Sequence, residues 1–388
     1  MSAQRRLVEE VKEDLKSQSL TVSSYTSALS KLTPALTDSA TLGDPETWYV
    51  AGKICFDKFD KYQSLKAIGQ KADEADMFDA LISGYGYYAT ALSLDTIPER
   101  DKSGQPRIDK KTGRPRYRAK YSKDIIRCIL THYSDYKSAG RMFYSTSQKF
   151  GKAYKAWHIY TTIPRYASFA EVFKRVSRSE LGEYCYYKGV AAKLDGCYTD
   201  AMMAFREAIS LGYNKRDVFD NAISCAEHEQ NDTSLVAVTK DAYELYGKDD
   251  PRYIRILYNY SLKYGKFDLA LDILDRAIDD YPNEAEYYSL KGVLLEHQSG
   301  SIEGSYECFS MAVVLDPTGI TSNLDMGRYY QNMALAETDE ARKMELQRMA
   351  VPYLERVRAY EPFNKAATDA LRAIYYNLND PRYETLGK

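Results

Sequence analysis

Histidine is scarce in this 388-residue sequence, which contains four, and motifs that carry catalytic chemistry are missing. No two histidines have the H-x-x-x-H spacing of a helical metal site, and no C-x-x-C joins two of the six cysteines. Nucleotide-binding loops and a G-x-S-x-G nucleophile motif are also absent from the sequence. Because catalysis needs several groups that converge in a desolvated pocket, we expect a protein that is not an enzyme and binds no metal or cofactor.

Long apolar runs and an excess of one charge are also lacking. No stretch approaches the roughly 18 apolar residues of a membrane-spanning helix, and the opening MSAQRRLVEE has no apolar core like that of a secretory signal. The 53 lysines and arginines nearly balance the 55 aspartates and glutamates, for a net charge of −2. This balance argues against a general binder of nucleic acid or other polyanions.

The six cysteines and the 36 tyrosines each allow two interpretations. The cysteines lie far apart on predicted helices, where buried free thiols suit close packing; a disulfide between Cys185 and Cys197 is the alternative in an oxidising compartment. We expect most tyrosines in the core, with the hydroxyl group at the edge of the helix layer. An aromatic surface that binds a ligand is the alternative.

One pattern recurs in residues 182–317 with a period of about 34 residues, which is typical of stacked helical hairpins. Each copy predicts two amphipathic helices, with Gly189 and Gly292 in the first helices where a partner crosses closely. The second helices carry alanines around a large side chain: Ala201, Phe205 and Ala208; Ala270, Leu274 and Ala277; Phe309 and Ala312. Pro282 and Pro317 end two copies. Because one hairpin cannot bury its apolar face alone, the copies must stack.

This arrangement of glycine, alanine, aromatic residue and closing proline resembles the tetratricopeptide repeat (TPR). The resemblance implies an all-α solenoid of TPR-like hairpins, a right-handed superhelix of about seven to eight units with a C-terminal capping helix. It divides the chain into N-terminal units with a basic loop (1–165), a regular array (166–319), and an extended unit with the capping helix (320–388). The architecture serves binding in general and names no partner by itself.

Helical periodicity predicts further helices outside the regular array. Pro45 begins a first helix that carries Trp48 and Gly52, and its partner lies at 76–95 after an extension of the helices or an insertion. Segment 119–149 is predicted as one long or kinked element. The remaining predicted helices include 3–17, 22–37 and 364–378, the last as a polar cap.

Residues 99–118 interrupt the succession of predicted helices. Glycines and prolines predict a loop, and KKTGR between the flanks Arg107-Ile108 and Arg116-Tyr117 predicts a small hairpin. Between Glu99 and Lys120, nine residues are basic and three are acidic. We favour a solvated hairpin that bridges two helices, since no nucleic-acid motif accompanies it. The alternative is a docking loop for an acidic partner, a lipid headgroup or nucleic acid, with Arg107, Lys110, Lys111, Arg114 and Arg116 as its docking residues.

In TPR arrays the first helices line a groove for protein segments, and the resemblance carries this role to matching positions here. The implied groove residues are Tyr49, Lys53, Phe56, Tyr186, Lys193, Arg252, Arg255, Asn259 and Lys263, with Glu183 and Val190 on the face of Tyr186. The three cations around Asn259 suit a carboxylate or an acidic peptide, and an ordinary polar groove wall is the alternative. We expect a protein or peptide partner rather than nucleic acid; the oligomeric state stays open.

Four segments together resemble exported bacterial TPR proteins: PETWYVAGKI, the Pro- and Lys-rich loop before YSKDI, FGKAYKAWHIYTTIP, and EPFNKAATDALRAIYYNLND. This resemblance implies a binding role in the cell envelope, periplasmic or outer-membrane-associated if a leader has been removed and cytoplasmic otherwise. Two functions remain open. One is a scaffold for protein segments, and the other is an envelope protein that binds a glycan or small ligand through its tyrosines. Exposed, clustered tyrosines on the groove face would favour the second.

Overall fold

The computed structural model describes residues 3–17, 19–110, 113–170, 176–298 and 302–386. They belong to two compact units, Met1–Gln230 and Asn231–Lys388. Each unit is a stack of helical hairpins, which confirms the predicted all-α solenoid class. The ranges 1–165, 166–319 and 320–388 stay a prediction, as does the handedness of the superhelix.

The first unit pairs consecutive helices and then packs each pair on the next. Its helices are α1 (Ala3–Asp14), α2 (Val22–Leu32), α3 (Pro45–Ala67), α4 (Glu74–Leu94), α5 (Ser122–Thr131), α6 (Asp135–Ser145), α7 (Phe150–Thr162), α8 (Ala167–Ala170), α9 (Arg178–Leu194), α10 (Tyr198–Ser210) and α11 (Arg216–His228). Hairpins form from α3 with α4, α6 with α7, and α9 with α10. Short 3-10 turns follow α2 and α7.

The second unit continues the same construction. Its helices are α12 (Asp232–Tyr246), α13 (Arg252–Lys263), α14 (Phe267–Asp280), α15 (Ala285–Gln298), α16 (Ile302–Leu315), α17 (Ile320–Ala336), α18 (Glu340–Tyr360) and α19 (Lys365–Asn377). Hairpins form from α13 with α14, α15 with α16, and α17 with α18. Helix α19 covers the open side of α18, as the predicted capping helix should.

A glycine of the first helix meets a large side chain of the second helix in most of these hairpins. A Cβ atom at Gly189 would lie 2.5 Å from Phe205, and one at Gly292 would lie 2.6 Å from Phe309. Neither distance leaves room for a side chain. The same relation joins Gly52 to Tyr88, Gly140 to Trp157, and Gly327 to Leu354. The predicted pattern therefore marks real interhelical seams.

The alanines of the pattern fill the same seams. Fully buried alanines occupy the second helices at Ala201, Ala208, Ala270, Ala277 and Ala312. Phe205 and Phe309 between them are also buried. Small and large side chains thus alternate along one helical face, which lets the two backbones approach while the ring fills the remaining space.

The long hairpin of α3 and α4 accounts for the segment between Gly52 and residue 76. Both helices are extended, since α3 runs to Ala67 and α4 begins at Glu74. Asp44 caps α3 by accepting a hydrogen bond from the Glu46 backbone N–H, and Pro45 supplies the first helical residue. The alternative of an inserted segment is therefore ruled out.

Segment 119–149, predicted as one long or kinked element, is two helices. The chain turns between α5 and α6 at His132, whose backbone N–H bonds the Cys128 carbonyl. The His132 ring is buried against Phe56 and Phe59, at centroid distances of 5.3 Å to each. Packing of His132 against α3 thus stabilises the end of α5, and the turn contains no glycine or proline.

The insertion between α4 and α5 is a small β-structure. Its base pairs Ile97–Pro98 with Tyr117–Arg118 as antiparallel strands β1 and β2. The predicted pairing of the hairpin flanks is confirmed, because Arg116 N–H donates to the Arg107 carbonyl at 2.7 Å and Ile108 bridges to Pro115.

Asp95 closes the base of this insertion. Its buried carboxylate accepts hydrogen bonds from the backbone N–H groups of Lys120, Tyr121 and Ser122 at 2.7–2.9 Å, and from the Ser122 hydroxyl. Burial favours the neutral acid and raises the pKa of Asp95, but the hydrogen bonds from these donors together outweigh burial, so the pKa is lowered. One side chain therefore joins the last turn of α4 to the start of α5.

All six cysteines are free thiols. Cys185 is buried whereas Cys197 is exposed, so the structure contains no disulfide between them. Burial raises the pKa of the Cys185 thiol, which keeps that group protonated and unreactive.

Replacing Gly189 with alanine should lower the free energy of unfolding by about 1–3 kcal/mol, since the new methyl group would overlap the buried ring of Phe205. Urea denaturation followed by circular dichroism measures the change. Gly86→Ala is the matched control, because Gly86 is exposed on α4 and no described atom lies within 4 Å of its missing Cβ. That substitution should be neutral or stabilising by up to about 1 kcal/mol. Equal destabilisation by the two substitutions would contradict a close contact between Gly189 and Phe205.

Candidate groove and aromatic pocket

The face of the first unit that carries α6 and α9 contains a cavity of about 430 Å³, which we call the aromatic pocket. It is bounded by aromatic rings, two cationic side chains and few other groups. Its lining residues are Lys137, Arg141, Tyr144, Ser145, Trp157, Tyr184, Tyr186, Tyr187 and Val190.

Helical spacing places these side chains together. Lys137, Arg141 and Tyr144 lie four and three residues apart on α6, and therefore share one face. Tyr184 and Tyr187 have the same relation on α9. Two successive first helices thus form the walls.

Trp157 of α7 lies beneath the pocket and is 5% exposed. Its indole packs over Gly140, where a Cβ would lie 2.2 Å from Nε1. The ring centroids of Tyr144 and Tyr187 both lie 5.8 Å from Trp157, and that of Tyr184 lies 6.5 Å away. The same seam that holds the α6–α7 hairpin together therefore holds the aromatic floor in place.

The two cations of the pocket differ in their partners. Lys137 Nζ donates to Glu180 Oε1 at 2.9 Å and lies 5.7 Å from the centre of the Tyr184 ring. Arg141 is exposed, and its guanidinium forms no ion pair with any described residue. Glu180, held by Lys137 and by the Tyr160 hydroxyl, has a lowered pKa and stays ionised. The net positive charge of the pocket thus comes from Arg141.

Two predicted groove residues lie on α3 and are engaged by carboxylates. The hydroxyl of Tyr49 donates to Asp124 at 3.1 Å, and burial together with that bond raises its pKa to about 12. Lys53 forms an ion pair with Asp57 at 2.8 Å, one helical turn away. Neither side chain is free of intramolecular contacts.

Phe56 belongs to the core rather than to a groove surface. It is 1% exposed and stacks on Tyr88 with a centroid distance of 4.9 Å. Its place in the predicted set is corrected on this ground. On α9, Lys193 donates to Asn221 of α11 at 3.0 Å. Tyr186, by contrast, lines the aromatic pocket together with Val190.

The predicted polar row of the second unit is exposed along α13, at Arg252, Arg255, Asn259 and Lys263. Two of its three cations are neutralised nearby. Arg252 binds Asp250 in bidentate fashion, and Lys263 pairs with Asp232 of α12 at 2.5 Å. Among the described residues, Arg255 has no ion-pair partner. The row therefore offers one uncompensated arginine beside an exposed amide.

The predicted docking residues of the loop are exposed, at Arg107, Lys110, Arg114 and Arg116; Lys111 lies outside the described residues. Arg116 faces Glu99 at 3.8 Å across the base of the insertion. The loop thus presents several cations on a hydrogen-bonded support, and their docking role stays a prediction.

Asp325 is a buried carboxylate that the groove prediction did not include. It lies on α17 and is 8% exposed, with the Arg328 guanidinium 3.9 Å away. Burial raises its pKa to about 6, and Arg328 opposes the shift without cancelling it. Ionisation of Asp325 near neutral pH therefore costs free energy in the folded state.

The part of the chain that the structure describes contains no group of three or more His, Cys, Asp or Glu side chains placed to hold a metal ion.

None of the helices within the described ranges is both long enough and apolar enough to cross a membrane.

No protein-family model matches this sequence, and no curated protein matches it. Among solved structures, YrrB, a TPR protein with an unusual peptide-binding site, is 15% identical, with 53% of this chain and 97% of YrrB covered at a TM-score of 0.37. The C-terminal part of a TPR repeat-containing protein from Cytophaga hutchinsonii is 14% identical, with 64% and 94% covered at a TM-score of 0.38.

PilF of Pseudomonas aeruginosa is 11% identical, with 62% of this chain and 96% of PilF covered at a TM-score of 0.33. The geometry of the chain itself defines its fold class. Its hairpins repeat a glycine–aromatic seam with flanking alanines at the TPR spacing. The protein is therefore an all-α solenoid of helical hairpins, and the seams of these hairpins are similar to those of TPR units.

Asp325→Asn should stabilise the protein at pH 7 by up to about 3 kcal/mol, with the difference from the parent disappearing near pH 4. Below its unfolded pKa, Asp325 is protonated in both states. As the pH rises towards 6, the unfolded chain loses this proton first, so the parent loses stability while the amide variant does not. Urea denaturation at several pH values measures the difference. Asp279→Asn, on the exposed face of α14, should show the same dependence of the free energy of unfolding on pH as the parent. If Asp325→Asn also shows the parent's dependence, the assignment of this effect to Asp325 is wrong.

Proposed function

We propose that this protein is a non-enzymatic scaffold that binds a protein segment across its first helices. The observation that carries the proposal is the aromatic pocket, because successive first helices combine there to form a concave surface with an uncompensated arginine. Protein interfaces are enriched in tyrosine, tryptophan and arginine at positions that contribute most to affinity. The lining contains no histidine, cysteine or carboxylate, so its Ser145 hydroxyl has no such group in the lining to act as its general base.

The α13 row supports the same proposal in the second unit. Arg255 and Asn259 are exposed on one face, where a guanidinium and an amide can grip a carboxylate or a peptide backbone. Arg252 and Lys263, already paired with aspartates, hold their own positions and contribute less positive charge. An acidic segment is therefore the partner that this face suits best.

A second function is favoured by the clustering of tyrosines. Four of the nine lining residues of the aromatic pocket are tyrosines, and Tyr187 is 37% exposed. Aromatic faces of this kind also bind sugar rings or small aromatic ligands. A glycan- or small-ligand-binding protein is therefore the alternative.

We further propose a cell-envelope location, periplasmic or outer-membrane-associated. Its support is the resemblance of four sequence segments to exported bacterial TPR proteins. If the basic loop has the docking role given above as the alternative to a solvated hairpin, its exposed arginines and Lys110 would provide a second contact with an acidic protein or a lipid surface.

A photo-crosslinking amino acid in place of Asn259 should capture a protein partner in the cells that make this chain. Mass spectrometry would identify the partner, and calorimetry with the purified pair would measure affinity. Arg255→Glu should weaken binding by about tenfold, because it reverses the one uncompensated charge of the row.

The matched control is Arg348→Glu, which reverses an exposed arginine on the second helix α18. It should leave the affinity unchanged. Equal losses for both variants would indicate a nonspecific charge effect and would remove α13 from the binding surface. The same amino acid placed at residue 348 should capture no partner; capture from both positions would argue against a binding face on the first helices.

A further inference from the structure

The aromatic pocket presents several neighbouring rings to a ligand. Trp157 forms its floor, and the ring centroids of Tyr144 and Tyr187 both lie 5.8 Å from the indole. Tyr187 is itself oriented, because its hydroxyl donates to Glu183 at 2.8 Å. Rings at these separations prefer edge-to-face or offset contacts with another ring. The aromatic pocket is therefore preorganised to bind an aromatic group.

The charges around the pocket determine which kind of group can lie beside the aromatic ring of a ligand. Glu180 compensates Lys137, Arg141 is exposed at the rim without an ion-pair partner in the described chain, and no carboxylate belongs to the lining. A cationic ligand, which aromatic rings alone would attract, would be repelled by Arg141. An anion beside the ring would instead gain a charge-assisted hydrogen bond from Arg141.

We propose that the aromatic pocket recognises an aromatic side chain flanked by a carboxylate within a partner's polypeptide segment. The ring would pack against Tyr144 and Tyr187 over the Trp157 floor, and the carboxylate would pair with Arg141, which shares a face of α6 with Tyr144. This inference rests on the proposed scaffold function and specifies the kind of segment that the scaffold takes.

Trp157 provides a direct reporter of this recognition. The sequence has two tryptophans, so the Trp48→Phe variant of the full-length protein carries Trp157 as its one tryptophan. Three acetylated and amidated pentapeptides are titrated against its fluorescence: Gly-Asp-Phe-Asp-Gly, Gly-Asn-Phe-Asn-Gly and Gly-Asp-Ala-Asp-Gly. We expect a saturable change with the first peptide and about tenfold weaker binding of the other two.

Substitutions in the Trp48→Phe background separate the two parts of the recognition. Arg141→Gln should abolish the preference for aspartate over asparagine, and the exposed Lys155→Gln on α7 should preserve it. Tyr187→Phe, which keeps the ring and removes only its hydrogen bond to Glu183, should retain most of the affinity, whereas Tyr187→Ala should bind about tenfold more weakly. Circular dichroism verifies that each variant is folded.

Several outcomes would overturn the inference. These are equal affinity for the three peptides, no saturable response to any of them, or an Arg141→Gln variant that still prefers aspartate. A saturable response to maltohexaose alone would assign the pocket to glycans instead. If the crosslinker at residue 259 captures a partner but no peptide changes the fluorescence of Trp157, this inference is wrong and the scaffold function is retained. Peptide binding at Trp157 without any captured partner would retain the pocket and reject the scaffold role of α13.

Discussion

The contact on which this structure depends is the one between a glycine and a large ring or leucine across each hairpin. Without a side chain at Gly189, the aromatic ring of Phe205 lies against the backbone of α9 itself. The two helices then pack closely enough for alanines to complete the seam. A single seam buries too little surface to hold a hairpin alone, so each pair depends on its neighbours.

The same contact links the fold to the candidate site. Gly140 accepts the indole of Trp157, and this brings the tryptophan under the rings of Tyr144 and Tyr187. The aromatic pocket is thus built by the rule that builds the solenoid, with larger aromatic residues on the outward side. Binding surfaces of this kind need no special loop, because the repeat itself fixes the positions of the side chains.

Sequence reasoning located the seams where small and large residues recur at constant spacing, as at Gly189, Phe205 and Gly292. It missed Gly140, although this glycine precedes Trp157 much as Gly292 precedes Phe309. The reason is the turn at His132, which is set by packing against Phe56 and Phe59 of another helix and leaves no local signal. Reading 119–149 as one element hid the first helix of a hairpin.

The groove residues show the same limit of local reasoning. Of the predicted groove residues, Tyr186 and Val190 line the aromatic pocket, and Arg255 and Asn259 lie on an exposed face; their binding role stays a prediction. Helical register did not reveal that Lys263 is neutralised by Asp232, which lies 31 residues earlier in the chain. Nor did it distinguish Phe56, which faces inward because α3 is covered on more than one side.

Asp95 has a consequence for how this chain can vary over evolutionary time. Because one carboxylate ties the end of α4 to the start of α5, the residues between them form an appendage whose two ends already meet. Its length and composition are free to drift, and an entirely different module could be exchanged at this point without disturbing the array. The anchoring aspartate itself has no such freedom, since its loss would leave three amide groups without their acceptor.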